Sequence, residues 1–324
     1  MRSVCCLLLL LVSPAWASRV YIHSGSIRLT AEYLPSSKGP AVVLLHGCGG
    51  MYAKNGAISA RIQRAANWFQ ELGIGVLMLD SFGARGIKDG CSSRAQPLDE
   101  VARADDAEAA LAWLRRHKHV DGDRLGVMGW SHGADAALEL VRRSDPDIRA
   151  AVVFYPACSK FLHARKFRIA APTLLLIGES DEWTSASDCK ALSKKSRQDL
   201  FHIVTYPGVY HDFDSPNQVQ YMRNDVPNQV PNAMFAGEKI LAGPNPEAAL
   251  DANLRTFKWF SRWFDPERML HGIPPVNMLP SGEPIVTRVR IGAASSVSSS
   301  ARPAPLPARA MPPAPPPANR NPQP

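Results

Sequence analysis

A series of short, nearly uninterrupted apolar runs constrains this chain more than any other feature. They lie at 41–45 (AVVLL), 75–79 (GVLML), 124–130 (RLGVMGW), 148–155 (IRAAVVFY) and 173–177 (TLLLI). A strand with one wet face alternates apolar and polar residues. These runs do not alternate, so each reads as a strand covered on both faces, as in a parallel sheet. Between them the period changes. Residues 58–72 place Ile62, Ala65, Ala66, Phe69 and Leu72 on one helical side, and 98–116 do the same with Val101, Ala104, Ala107, Leu111 and Leu114. Further helices are expected at 134–143, 187–196 and 246–264, two mixed strands within 20–34, and a last strand at 202–206. Strands alternating with helices need crossover connections and give an α/β fold with a mostly parallel sheet. In such sheets ligands bind beyond the carboxyl ends of the strands, so the residues just after each strand carry the chemistry.

The two ends of the chain differ from this body. Arg2, an apolar run at 4–12 and Ala15-Trp16-Ala17 have the layout of a secretory signal peptide cleaved after Ala17. The run is too short to span a bilayer. A periplasmic or secreted protein is therefore expected, with Cys5 and Cys6 removed. The remaining Cys48, Cys91, Cys158 and Cys189 are an even set in an oxidising compartment, and disulfides follow. Three pairings are open. Residues 271–324 hold 14 of the 28 prolines and one acidic residue, Glu283, which reads as a solvated, disordered tail. The body between, 18–270, is one catalytic-sized domain.

The net charge of +8 divides along the same lines. The leader carries +1 and the tail +4, while 18–270 hold 31 basic against 28 acidic residues. A body this mildly basic does not call for nucleic acid. The tail is left as a segment for weak association with an anionic envelope surface.

At the end of the 124–130 strand stands Gly129-Trp130-Ser131-His132-Gly133, a G-x-S-x-G pattern followed by a helix. Small flanking residues allow a tight turn that presents a serine hydroxyl. The plain alternative is a glycine-rich turn with Ser131 as a helix cap. A catalytic serine needs a base, oriented by an acid, in the chain order Ser, Asp/Glu, His. Four histidines follow the elbow. His202 falls in a strand, His163 comes too early and His271 borders the tail. His211, in the turn-rich loop after the last strand, is the best base. Asp181, beyond the 173–177 strand, is the favoured acid, with Glu179 and Glu182 behind it. The oxyanion of an acyl transfer would be held by the backbone N–H of His132 and by that of Cys48, in His46-Gly-Cys-Gly-Gly50. No H-E-x-x-H, C-x-x-C or phosphate loop is present, so neither a metal nor a cofactor is called for.

Taken together, HGCGG at 46–50, DSFGARG at 80–86, GWSHGA at 129–134, GESDEW at 178–183 and YPGVYHDF at 206–213 resemble the dienelactone hydrolase family of α/β-hydrolases over roughly 38–264. The resemblance implies an eight-stranded, mostly parallel α/β-hydrolase sheet, a triad of Ser131, Asp181 and His211, and hydrolysis of a small carboxylic ester or lactone. The family's namesakes use a cysteine nucleophile. Ser131 in its place favours a more general esterase. Arg85 matches a family arginine that holds a substrate carboxylate, and equally could be a structural salt-bridge partner; Arg85 and Trp130 are the candidate substrate-binding residues. A second arginine expected after the histidine is absent, since His211 is followed by Asp212, Phe213, Asp214 and Ser215. The long loop at 215–245 could roof the pocket with Tyr221, Met222, Met234 and Phe235. A reading from another class is an idle hydrolase scaffold that binds envelope components through its tail.

Overall fold

The computed structural model describes residues 17–91, 98–143, 148–164, 167–196, 199–217, 219–224, 226 and 239–265. The leader expected at 1–17, apart from Ala17, the proline-rich tail, His271, Met234 and Phe235 lie outside the described residues. Eight strands form one sheet: β1 (Ser18–Ser24), β2 (Ile27–Leu34), β3 (Gly39–Leu45), β4 (Gly75–Asp80), β5 (Val120–Trp130), β6 (Ala150–Phe154), β7 (Thr173–Gly178) and β8 (Phe201–Tyr206). Their order across the sheet is β1-β2-β4-β3-β5-β6-β7-β8. The β1–β2 and β2–β4 pairs are antiparallel and all others parallel. This is the α/β-hydrolase fold.

The apolar runs become the central strands for the reason their composition suggested. Every residue of β4, β6 and β7 is buried. The covering helices are α1 (Ala60–Glu71), α2 (Glu100–Arg115), α3 (His132–Arg142), a single turn α4 (Ser159–Leu162), α5 (Ala186–Lys195) and α6 (Pro246–Phe264). The chain steps from β3 to β4 in one direction, then back past β3 to β5. Right-handed crossovers in opposite directions place α1 and α2 on opposite faces. α6 joins α1, with Phe69 edge-on to Phe260 at 5.4 Å. Asp99 caps α2 and Asn245 caps α6 through their side chains, each accepting from the backbone N–H three residues on.

Two features add to the sequence reading. The 215–245 stretch is not wholly loop. It carries a small antiparallel ribbon of β9 (Tyr221–Arg223) and β10 (Ile240–Ala242). Three-residue strands are too short to leave a period in the sequence. The four cysteines pair as Cys48–Cys91 and Cys158–Cys189, a choice that spacing alone left open. Among the described residues, no helix is long and apolar enough to cross a membrane.

The second bridge closes a loop of 31 residues between the end of β6 and α5. Replacing both Cys158 and Cys189 by Ala should cost about 3–4 kcal/mol through the freed unfolded chain. The urea midpoint of the double variant against wild type checks this, and an unchanged midpoint would refute it.

Candidate active site

Ser131, the candidate nucleophile, sits where β5 turns into α3. Ser131 has φ 50° and ψ −120°, a conformation that L residues avoid. It is held there because the turn packs backbone against backbone. A Cβ on Gly133 would lie 2.1 Å from the carbonyl oxygen of Leu45, and one on Gly129 would lie 2.3 Å from that of Gly133. The two glycines of the motif are thus required by close approach to β3 and by the turn itself.

His211 follows β8 on a loop pinned at both ends. Its carbonyl accepts from Gly243 N–H at 2.8 Å, just after β10. Nearer β8, a Cβ on Gly178 would lie 2.1 Å from the Val209 carbonyl oxygen. Nε2 of His211 is 3.2 Å from the Ser131 hydroxyl, and Nδ1 is 2.7 Å from Oδ2 of Asp181. Asp181 is fixed in turn. Its Oδ1 accepts the backbone N–H groups of Trp183 and Thr184 at 2.9 and 2.8 Å, and Oδ2 accepts the Thr184 hydroxyl at 2.9 Å. His211 and Asp181 are buried, while Ser131 is partly open. The imidazole lies between two aromatic rings, Tyr155 at 4.4 Å and Trp183 at 4.5 Å between centroids.

Burial opposes the imidazolium of His211. The Asp181 carboxylate outweighs it, through charge and hydrogen bond, and the pKa is raised above the ordinary value. His132, next to Ser131, goes the other way. Burial, reinforced by the Arg103 charge, pushes it down to about 2. It stays neutral at working pH and cannot compete as the base through a charged intermediate. The other acids do not reach the imidazole. Glu179 is engaged by Lys190 and Thr205, and Glu182 accepts the Leu241 N–H. His202 is on β8 with its ring against Trp259.

The 46–50 loop lies against Ser131, since a Cβ on Gly47 would come within 3.8 Å of the Ser131 Cβ. Cys48 is tied from two sides, by its disulfide to Cys91 and by its carbonyl, which accepts from Gly90 N–H at 2.8 Å. The N–H of His132 is in the first turn of α3, where backbone donors have no partner within the helix. Over this corner a small apolar cluster joins Cys48, Cys91, Trp183, Val226 and Ile240. Of the proposed roof residues, Tyr221 instead gives its hydroxyl to Asp212, and Met222 is exposed.

Neither candidate substrate-binding residue is brought to the triad as expected. Trp130 is 1% exposed, and its indole N–H donates to Asp214 Oδ2 at 2.7 Å. It is a core residue because the side chain of the last strand position points into the molecule while the turn sends Ser131 outward. Arg85 forms a two-pronged ion pair with the buried Asp106 of α2, at 2.8 and 2.9 Å, and donates to the Ser81 carbonyl at 2.7 Å. It borders a surface depression with the β1–β2 turn and α2, and no triad residue lines it. Its charge is satisfied within the protein.

Residues 30–264 match the model of the dienelactone hydrolase family. The chain belongs to this family. The chain is 27% identical over 129 residues to a probable 2-oxo-3-(5-oxofuran-2-ylidene)propanoate lactonase of Bradyrhizobium, covering 36% of this chain and 51% of that protein. It is 28% identical over 137 residues to mouse acyl-coenzyme A thioesterase 6, covering 42% of this chain and 28% of that one. The matches thus span about half and about a quarter of these relatives' lengths. Among solved structures, a dienelactone hydrolase-like promiscuous phosphotriesterase from metagenomic libraries superposes with TM-score 0.58 at 22% identity, covering 76% of this chain and 98% of that one. The dienelactone hydrolase of Anabaena variabilis does so with TM-score 0.55 at 19% identity, covering 78% and 100%. These likenesses bear on the fold.

Proposed function

We propose that the protein is an exported serine hydrolase that cleaves a small carboxylic ester or lactone through an acyl-enzyme. The observation that carries this reading is the hydrogen-bonded line from Asp181 through His211 to Ser131, at 2.7 and 3.2 Å, ending on a serine in a strained turn. Ser131 attacks the carbonyl carbon while His211 Nε2 takes its proton. The negative oxygen of the tetrahedral intermediate is held by the N–H groups of Cys48 and His132. His211 then gives the proton to the leaving alkoxide, and an acyl group remains on Ser131. Water, deprotonated by the same imidazole, releases the acid. With a lactone the leaving oxygen stays attached to the acyl group, and the product is a hydroxy acid. Asp181 holds the imidazole in the tautomer that accepts at Nε2 and supports its positive charge.

The names of the relatives, a lactonase and a thioesterase, agree with carbonyl chemistry on activated acyl groups. The leader at 1–17 and the two disulfides support export. The division into leader, a body at 18–270 and a tail at 271–324 belongs to the same reading.

The test is direct. Purified protein should hydrolyse short p-nitrophenyl esters, and a fluorophosphonate should add to Ser131, located by peptide mass spectrometry. A screen across acyl length and unsaturated lactones then ranks substrates. No adduct and no hydrolysis of any ester or lactone would overturn the proposal in favour of a binding scaffold.

A further inference from the structure

Behind the triad lies a cluster of charge that the relay itself does not use. Asp214 is nearly buried and is shared by three elements. Its Oδ2 accepts the indole N–H of Trp130 at 2.7 Å, and its Oδ1 accepts the Tyr155 hydroxyl at 2.5 Å. The guanidinium of Arg61, from α1, pairs with it at 3.3 Å and donates to Asp212 Oδ1 at 2.9 Å. Asp212 also accepts the Tyr221 hydroxyl from β9. Burial alone would raise the Asp212 carboxyl, but Arg61 and His211 bring it down to about 2, so it is charged at working pH.

These contacts act on the residues that set the catalytic geometry. Trp130 immediately precedes the nucleophile. The Tyr155 ring packs on the imidazole, and its carbonyl accepts the Thr184 hydroxyl that also serves Asp181. Asp212 immediately follows His211. Tyr155 and Asp212 both have left-handed backbone, φ 41° and 62°. Such conformations persist in L residues only when surrounding contacts hold them. Here the same cluster holds both, one on each side of His211.

We propose that Asp214 is a positioning residue for the hydrolase reaction, fixing the Ser131–His211 approach through Trp130, Tyr155 and Arg61. This rests on the serine hydrolase reading above. Asparagine at 214 keeps the size but accepts at one end only: with its oxygen on the Trp130 N–H, its NH2 group meets Tyr155, whose hydroxyl can no longer donate there and must turn to accept. Arg61 also loses half of its countercharge. The imidazole is then faced by Asp181 from the β7 loop, Asp212 from its own loop, Arg61 from α1, the Thr184 hydroxyl, and the rings of Tyr155 and Trp183. The balance of charge at His211 becomes more positive, which disfavours the imidazolium.

The experiment compares wild type, Asp214→Asn and Tyr155→Phe with a short p-nitrophenyl ester. Rates are expressed per active site titrated by fluorophosphonate. For Asp214→Asn, kcat should fall about 10- to 100-fold, as expected for a relay displaced by a fraction of an ångström. KM should stay within about threefold, and the acid limb of kcat/KM should move to lower pH. Tyr155→Phe keeps the ring on the imidazole and removes only the bond to Asp214. It should lose about three- to tenfold in kcat, and it carries the test if Asp214→Asn does not fold. Unchanged titrated kcat and acid limb in the folded variants would overturn the proposal, leaving Asp214 a purely structural group. Wild type that is neither labelled nor active would instead fail the serine hydrolase reading itself.

Discussion

Replacing Asp181 by asparagine is expected to lower kcat for a short ester by about four orders of magnitude with the fold intact. The size follows from which way the amide must face. Oδ1 of Asp181 accepts two backbone N–H groups, from Trp183 and Thr184. In the variant only the amide oxygen can accept these, so the NH2 group is forced to the Oδ2 position, beside Nδ1 of His211. An NH2 group donates, and the imidazole must answer by accepting at Nδ1. Its proton then sits on Nε2, which faces the Ser131 hydroxyl at 3.2 Å and needs to be bare to take the serine proton. The base is present but in the wrong tautomer. The variant also lacks the carboxylate that raises the imidazole pKa. Titrated kcat and circular dichroism of Asp181→Asn check this together. A loss below tenfold with native ellipticity would mean that Asp181 is not the orienting acid.

The parts of this molecule that were legible in its sequence are those set by local pattern. The apolar runs marked the central strands because burial on both faces leaves no room for polar residues. The elbow was legible because backbone-on-backbone packing at Gly129 and Gly133 admits no side chain. His211 and Asp181 were found from their place after strands, where a parallel sheet collects its ligands. What escaped depends on contacts between distant segments. For Arg85 the sequence left a substrate contact and a structural ion pair equally open, because its partner Asp106 lies on α2 at a position indistinguishable by sequence from a wet helix face. Trp130 looked like a pocket residue because it adjoins Ser131, yet the turn sends the two side chains opposite ways. The acidic pair after His211 stood out as a departure from the family pattern. Its use, as a cradle for Arg61 some 150 positions earlier, appears only when α1 and the histidine loop are brought together. Thr184, which serves both Asp181 and the Tyr155 carbonyl, left no sequence signal.

The second large effect is expected at Gly133, where alanine should destabilise the whole domain and not just the site. Three backbone atoms of β3 and its loop crowd the place a Cβ would take: the Leu45 oxygen at 2.1 Å, the His46 oxygen at 2.5 Å and the Leu45 carbon at 2.7 Å. None can turn aside as a flexible side chain would. β3 is hydrogen-bonded to β4 on one side and β5 on the other. The elbow is held from behind, where Ser131 N–H donates to the Phe154 carbonyl at 2.9 Å, and Asp135 N–H closes the first turn of α3 onto Ser131. Relief requires β3 and α3 to part by about 1 Å in an interior packed as densely as a crystal. Overpacking of yielding side chains costs about 1–3 kcal/mol, and this rigid contact belongs at or above the top of that range. At about 2–4 °C per kcal/mol for a chain of this size, the melting temperature should fall by roughly 10 °C or the protein should fail to accumulate. Activity should fall further than stability, because the displaced loop carries the Cys48 donor and about 1 Å of misplacement costs on the order of 100-fold. Gly49→Ala is the matched control, since nothing lies within 4 Å of its Cβ position in the same loop. It should melt within about 2 °C of wild type, a shift of under about 1 kcal/mol. If Gly133→Ala melts as high as Gly49→Ala, the elbow is looser than its geometry implies, and the strained serine is not held by contact with β3.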